Sequence, residues 1–225
     1  MLKKLVLGMN KLDGPGLTQL RNMTNLEHLD LAMAGITDQR LTYLEELRCL
    51  RVLDLSGNRI SDKGLNFLRQ LERLEDLNLA SNPGIGDTSI PLPANPTFLR
   101  ALYLDSTHTG DIALASLQGY SALELLHLHG TRITDNGIVK LDSFRSLKDL
   151  DLSRTNITVL ALRRLVLLHD LRDLGLDFTQ IGDEAVPLLA ELKALERLSL
   201  GGTRVTATGI RDLRKALPHC RIITY

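Results

Sequence analysis

Leu50-Arg51-Val52-Leu53-Asp54-Leu55-Ser56-Gly57-Asn58-Arg59-Ile60 is the stretch whose spacing decides the fold. With Leu50 as position 0, leucines at positions 3 and 5 give the alternation of a short strand with one buried face. Asn58 follows at position 8, and Ile60, Leu65, Leu68 and Leu71 continue at positions 10, 15, 18 and 21. That wider spacing suits one or two helical turns. Asp62 stands where an N-cap is expected, with counterparts Asp38, Asp87, Asp111, Asp135 and Asp183. One unit is therefore strand, turn and short helix.

The same phrase starts at Leu2, Leu26, Leu50, Leu74, Leu99, Leu123, Leu147, Leu171 and Leu195, with a degenerate tenth start at Cys220. The intervals are 24 residues, except for two of 25. A fixed period of this length marks an array of stacked units, none of which buries its own leucines without neighbours. Position 8 holds Asn10, Asn58, Asn82, Thr107, Thr131, Thr155, Thr179 and Thr203, with Ala34 the exception. Buried turns leave backbone polar groups that need partners, and an amide or hydroxyl at every turn predicts a continuous ladder that supplies them.

Over essentially residues 2–225 this pattern resembles the leucine-rich repeat family. The tail Thr131-Arg132-Ile133-Thr134-Asp135-Asn136-Gly137-Ile138 is similar to the ribonuclease-inhibitor-like and F-box-associated branches, although Thr or Asn replaces the Cys those branches often carry at position 8. The resemblance implies an α/β fold, a right-handed solenoid with a parallel sheet on the concave face and short helices on the convex face. Continuous register predicts one domain over 1–225, nine repeats and a closing strand that ends Ile222-Ile223-Thr224-Tyr225. Pro91, Pro93 and Pro96 predict an extended segment where repeat four would have its helix. Val159 takes the place of a capping Asp in repeat seven and predicts a looser helix start there.

The chain has 225 residues with 27 basic and 27 acidic side chains, so no net field directs it toward nucleic acid or membrane. No apolar run reaches the roughly eighteen residues of a membrane span. The opening Met1–Leu7 mimics a signal peptide, but its apolar stretch stops at Asn10-Lys11 and Leu2, Leu5 and Leu7 fall in repeat register. Secreted members of the family usually carry cysteine-rich caps. Only Cys49 and Cys220 occur here, which favours an intracellular, cytoplasmic location. The chain opens inside the first strand, with Lys3 and Lys4 as edge protection or with further domains ahead of it.

Equal positions in successive repeats become lateral neighbours, so position 1 reads as an ion ladder: Lys3, Glu27, Arg51, Glu75, Arg100, Glu124, Lys148, Arg172, Glu196. Positions 2, 4 and 6 face the concavity and carry Asp30, Asp54, Asp76, Asp105, Asp149, Asp151, Asp173 and Asp177 against Lys4 and Arg197. Asp at position 4 belongs to the strand phrase, whereas Asp105, Asp149, Asp173 and Asp177 stand outside it. The expected function is a monomeric, non-enzymatic module binding a basic or mixed-charge protein or peptide. Its anchors are read as Tyr103, Asp105, His127, His129, Asp149, Asp151, Arg154, Asp177 and Phe178, with no cofactor. A narrower alternative is the substrate-recognition part of a ubiquitin ligase-type assembly. Another is a metal-binding or enzymatic site on His127 and His129, two apart on one strand, with Asp105 and Asp151 beside them. The GxxxxGK[ST], HExxH, GxSxG and CxxC signatures are absent.

Overall fold

The computed structural model describes residues 2–12, 15–88 and 90–224. Ten strands, each of three residues, form one parallel sheet in chain order: β1 Lys4–Val6, β2 His28–Asp30, β3 Val52–Asp54, β4 Asp76–Asn78, β5 Ala101–Tyr103, β6 Leu125–His127, β7 Asp149–Asp151, β8 Asp173–Gly175, β9 Arg197–Ser199 and β10 Arg221–Ile223. The middle residue of each is position 3. In β2 to β9 that leucine is buried while both flanking residues stay accessible. The strand phrase is thus as short as one inward leucine allows.

Register corrects one expected start. Ile222 pairs with Leu198 and Arg221 with Arg197, so Ile222 occupies position 3. The tenth phrase begins at His219, not Cys220, and the only extra residue in the array sits in repeat four. Tyr225 lies outside the described residues.

The returning halves are short. The α-helices are α1 Asp38–Leu41, α2 Asp111–Ala115, α3 Asp135–Ile138, α4 Val159–Leu165, α5 Val186–Leu189 and α6 Ala207–Ala216, with 3₁₀ segments such as Asp62–Gln70 in other repeats. Between β4 and β5 the described residues contain no helix. Ile90 and Leu92 are buried there, and Tyr120 Oη of the next repeat donates to the Pro93 carbonyl at 2.5 Å. The proline-rich strap therefore packs on the array as an extended segment. Columns of leucine and isoleucine at positions 0, 3, 5, 10, 15, 18 and 21 merge into one core along the solenoid.

Position 8 works in two ways, not one. Asn58 reaches into the preceding repeat: its Oδ1 accepts from the amides of Ala34 (3.1 Å) and Ile36 (2.9 Å), and its Nδ2 donates to Leu31 O (2.9 Å) and Leu55 O (2.8 Å). Asn82 repeats this with Ile60 N, Leu55 O and Leu79 O. The threonines are local. Thr107, Thr131, Thr155, Thr179 and Thr203 each donate to the carbonyl three residues earlier. The expected continuous ladder exists only where asparagine supplies both an acceptor and two donors.

The aspartates expected at N-caps are displaced by one residue and one repeat. The caps are Thr37, Ser61, Gly110, Thr134, Thr158, Gly182 and Thr206; Asp38, Asp62, Asp111, Asp135 and Asp183 each follow one of them, and before α4 and α6, where no aspartate follows, the carboxylate comes from the preceding repeat. Asp38 Oδ1 accepts from Ser61 N, Asp111 Oδ1 from Thr134 N, Asp135 Oδ1 from Thr158 N and Asp183 Oδ1 from Thr206 N, each at 2.8–2.9 Å. The second oxygen takes the hydroxyl of the same Ser or Thr. Each carboxylate clamps the next helix start. This overturns the expected looseness at Val159, because Asp135 and Thr158 cap α4, which runs for seven residues. The missing carboxylate is felt one repeat later, where Glu184 accepts from Gly182 N instead.

Position 1 pairs as separate bridges along one edge of the sheet: Lys3–Glu27 (2.6 Å), Arg51–Glu75 (2.8 Å), Arg100–Glu124 (2.5 Å), Lys148–Glu124 (2.6 Å) and Arg172–Glu196 (3.0 Å). These are exposed pairs of small individual worth. On the opposite edge, position 7 is left-handed in every repeat. Met9, Met33, Ser81, Ser106, Arg154 and Phe178 have φ between 51° and 61°, alongside Gly57, Gly130 and Gly202. Cross-repeat bonds impose it: Arg154 N–H donates to Asp177 O and Phe178 N–H to Gly201 O, both at 2.7 Å. Each non-glycine residue there costs roughly 1 kcal/mol.

Candidate functional site

The sheet face carries the side chains of positions 2, 4 and 6, and the first question is which of its carboxylates the backbone already uses. As the chain leaves each strand, the N–H of position 6 needs an acceptor. In repeats two, three, four and seven the position 4 side chain provides it: Asp30 to Ala32 N, Asp54 to Ser56 N, Asn78 to Ala80 N and Asp151 to Ser153 N, at 2.8–3.0 Å. Where position 4 is His127, Gly175 or Ser199, position 6 of the preceding repeat takes over. Asp105 Oδ1 accepts from His129 N (2.9 Å), Ser153 Oγ from Asp177 N (3.1 Å) and Asp177 Oδ1 from Gly201 N (2.5 Å). Asp105, Asp151 and Asp177 therefore serve the scaffold, which corrects the reading of Asp105 and Asp177 as outside it. Asp149 and Asp173, at position 2, have no such duty.

Those two carboxylates meet His127 and Arg197. His127 Nε2 lies 3.2 Å from Asp149 Oδ1, and Arg197 Nε contacts Asp173 Oδ1. His127 Nδ1 is 4.0 Å from Asp105, and its ring meets Tyr103 edge-on with centroids 5.1 Å apart. His129 turns toward Asp151 instead, at 3.9 Å. The two histidines thus engage different carboxylates. Among the described residues no group of three or more His, Cys, Asp or Glu side chains is placed to hold a metal ion, so the metal alternative finds no ligand set.

A hollow of about 270 Å³ opens on this face, walled by Asp149, Asp173, Arg197, Ser199 and Ile223. Gly175 makes its floor. A Cβ at that position would lie 2.4 Å from Asp151 Oδ1 and 3.0 Å from Ser153 Oγ, so Gly175 is what lets those two side chains lie against the sheet at the base of the hollow, in the column where earlier repeats raise Tyr103 and His127. Sequence reading missed Gly175, although a glycine in a column of Asp, Asn, Tyr and His was the available signal. Three larger hollows lie elsewhere among the described residues. One of about 540 Å³ follows the ion pairs of the strand-entry edge, one of about 530 Å³ is the apolar end of the first repeat, and one of about 310 Å³ lies between Glu45, Glu46, Arg48, Asn66, Phe67 and Gln70. None of them lies on the sheet face.

Arg154 and Phe178 do not stand with the other expected anchors. Both occupy position 7, beyond the strands, and Arg154 Cζ sits 4.2 Å above the Phe178 ring centroid. They form a stack on the rim, not part of the concave surface. This is a correction with a clear cause: the turn rotates position 7 out of the two-residue alternation on which the inward assignment depended.

Burial of the His127 ring favours its neutral form, but the hydrogen bond to Asp149 and the charges of Asp149, Asp105 and Asp151 outweigh it and raise the pKa above 6.5. A raised folded value means that the protonated ring stabilises the fold. That contribution is complete below 6.5 and is lost as pH rises through the folded value. An imidazole NMR titration is expected to place the His127 midpoint above 6.5 and to show it falling in Asp149→Asn. An unchanged midpoint in that variant would mean the pair does not form in solution. Asp105 is pushed up by burial, and Tyr103 by burial and the surrounding aspartates.

A leucine-rich repeat family model matches residues 22–39 and 46–68. No curated protein matches the sequence. Among solved structures the chain is similar to internalin C2 of Listeria monocytogenes, at 24% identity over 92% of each chain with a TM-score of 0.67. It is also similar to a second Listeria monocytogenes internalin, at 23% identity over 100% of this chain and 80% of that one, TM-score 0.50. A TDR receptor gives 17% identity over 100% of this chain and 43% of its own, TM-score 0.68. With the in-register strands, these findings make the chain a leucine-rich repeat protein with the solenoid fold. The matches are to the family as a whole and not to the ribonuclease-inhibitor-like or F-box-associated branch. Leucine-rich repeat proteins are in general protein-interaction modules. Among the described residues no helix is long and apolar enough to cross a membrane.

Proposed function

We propose that this single solenoid domain is a non-enzymatic binding module whose concave face, over repeats five to nine, takes an extended segment of a protein partner bearing a basic side chain. The observation that carries the reading is the hollow above Gly175, where Asp149 and Asp173 are the carboxylates free of backbone duty. A Lys or Arg side chain entering there would compete with His127 and Arg197 for them. Tyr103 and His129 extend the surface toward repeat five and offer an aromatic edge and a ring nitrogen. Asp105, Asp151 and Asp177 contribute to the field while holding the turns.

Selection from a random library of nine-residue peptides is expected to enrich lysine and arginine. Asp149→Asn/Asp173→Asn should weaken the selected peptides at least about tenfold, the worth of one good charged contact, with little change in melting temperature. Enrichment of acidic sequences, or equal binding by the double variant, would discard the reading.

A further inference from the structure

The rim at which the strands exit has a charge of its own. Positions 7, 8 and 9 of the nine repeats comprise 27 residues without one Asp or Glu, although 27 acidic residues occur in the 225-residue chain. The same three columns hold Lys11, Arg59, His108, Arg132, Arg154 and Arg204, all exposed. At the strand-entry edge the position 1 cations described above meet glutamates. At the exit rim, Arg59, Arg132 and Arg154 make no ion pair among the described residues. One edge is neutralised and the other is not.

The centre of this rim is also ordered. Phe178 is 51% exposed, and its ring lies across the next repeat, where a Cβ on Gly202 would come within 2.5 Å of its Cδ1. Arg154 covers the ring on the side of the preceding repeat, which presents the guanidinium donors with no acceptor. Both residues hold left-handed backbone, with φ of 56° and 55°, where glycine or asparagine would cost less. Arg132 stands at position 9 of the repeat before Arg154, on the same rim.

We propose that the exit rim around Arg132, Arg154 and Phe178 is a docking surface for an acidic segment of a protein, with carboxylates on the two guanidinium groups and an apolar side chain on Phe178. This surface is separate from the concave face and does not depend on the reading given to it. A protein segment fits better than a nucleic acid. Asp177 immediately precedes Phe178 and Asp105 lies one residue before the rim in repeat five, so a nucleic acid, with a phosphate every ~3.4 Å along each strand, would be laid against them. A peptide spaces its carboxylates and supplies the apolar group that the exposed ring accepts. Planar guanidinium edges suit carboxylates in two-bond geometry.

The test is fluorescence anisotropy with a labelled acidic peptide, glutamates flanking one leucine. Saturable binding is expected, weakened at least about tenfold by Arg132→Gln/Arg154→Gln and by less than about twofold by Lys63→Gln/Arg69→Gln, the same charge change on the convex side. Phe178→Asn should weaken binding without lowering the melting temperature, because asparagine suits the left-handed backbone. Absence of saturable binding, equal loss in the convex variant, or tighter binding of a single-stranded oligonucleotide of equal length at the same salt would overturn the proposal.

Discussion

Asn58→Ala is expected to lower the unfolding free energy by about 4 kcal/mol, against about 1 kcal/mol for Thr155→Val. Both side chains are buried at position 8, 5% exposed, and both changes remove a turn-bridging polar group. They differ in what is left behind. Loss of Asn58 strands the amides of Ala34 and Ile36 and the carbonyl of Leu31 inside the core, and leaves Leu55 O to Asn82 alone. Loss of the Thr155 hydroxyl strands one carbonyl, Leu152 O, and valine refills the volume. Each orphaned buried group costs roughly 1–3 kcal/mol, so several outweigh one severalfold. Urea unfolding followed by circular dichroism gives the totals. Hydrogen exchange is the sharper probe, since repeat arrays open locally. Protection should fall at Ala34 and Ile36 in Asn58→Ala and remain there in Thr155→Val. Equal losses from the two variants would show that asparagine does not tie repeats together.

The difference between those columns marks how far the sequence could be read. Leucine spacing announced the strands, their order and the core, because each leucine's burial depends on its own position in the phrase. The proline-broken return of repeat four was legible for the same reason: absent donors act locally. Contacts between repeats were harder. Asp135 sits within two residues of Thr134, Asn136 and Gly137, so a local cap was the natural inference, yet its acceptors serve Thr158, 23 residues on. Periodicity hides such links, since every residue has an equivalent one period away and spacing alone does not say which copy it meets. The division of the aspartates on the sheet face was hidden likewise. Whether Asp105 or Asp177 is available depends on what occupies position 4 of the following repeat, and only structure joins the two. The rim was veiled by its own composition. Position 7 is left-handed throughout, but glycine marks it in only Gly57, Gly130 and Gly202, while Arg154 and Phe178 look like continuations of the strand.

Asp135→Ala is the corresponding test of the clamps, with an expected loss of about 3 kcal/mol. Its carboxylate accepts three hydrogen bonds, from Thr158 N (2.8 Å), Thr158 Oγ1 (2.7 Å) and Ala161 N (3.1 Å). Two of these are backbone donors at the start of α4, where acceptors are scarce: Ala161 N shares itself between Asp135 and Thr158 O, also at 3.1 Å, and Thr158 N has Asp135 as its acceptor. Repeat seven has no nearby acid of its own to replace them, because Val159 occupies the equivalent place. The Thr158 hydroxyl still reaches Leu160 N at 3.2 Å, so the helix keeps one cap, while Thr158 N loses its acceptor and Ala161 N falls back on Thr158 O. Exchange should therefore quicken first at Ala161 and Leu162 and leave β2 and β3 protected, a local opening that precedes global unfolding. Asp183→Ala offers the calibration: it clamps Thr206 through two bonds at an exposed position, and its loss should cost about 1 kcal/mol less. If the two aspartates prove equivalent, the extra bond to Ala161 contributes nothing and α4 is held by its leucines. If Asp135 costs more, the convex side of the array is joined by charge as the concave side is joined by backbone. The sheet pairs each repeat with the next through carbonyls and amides, and the carboxylate clamps repeat that connection where the helices are too short to make it themselves.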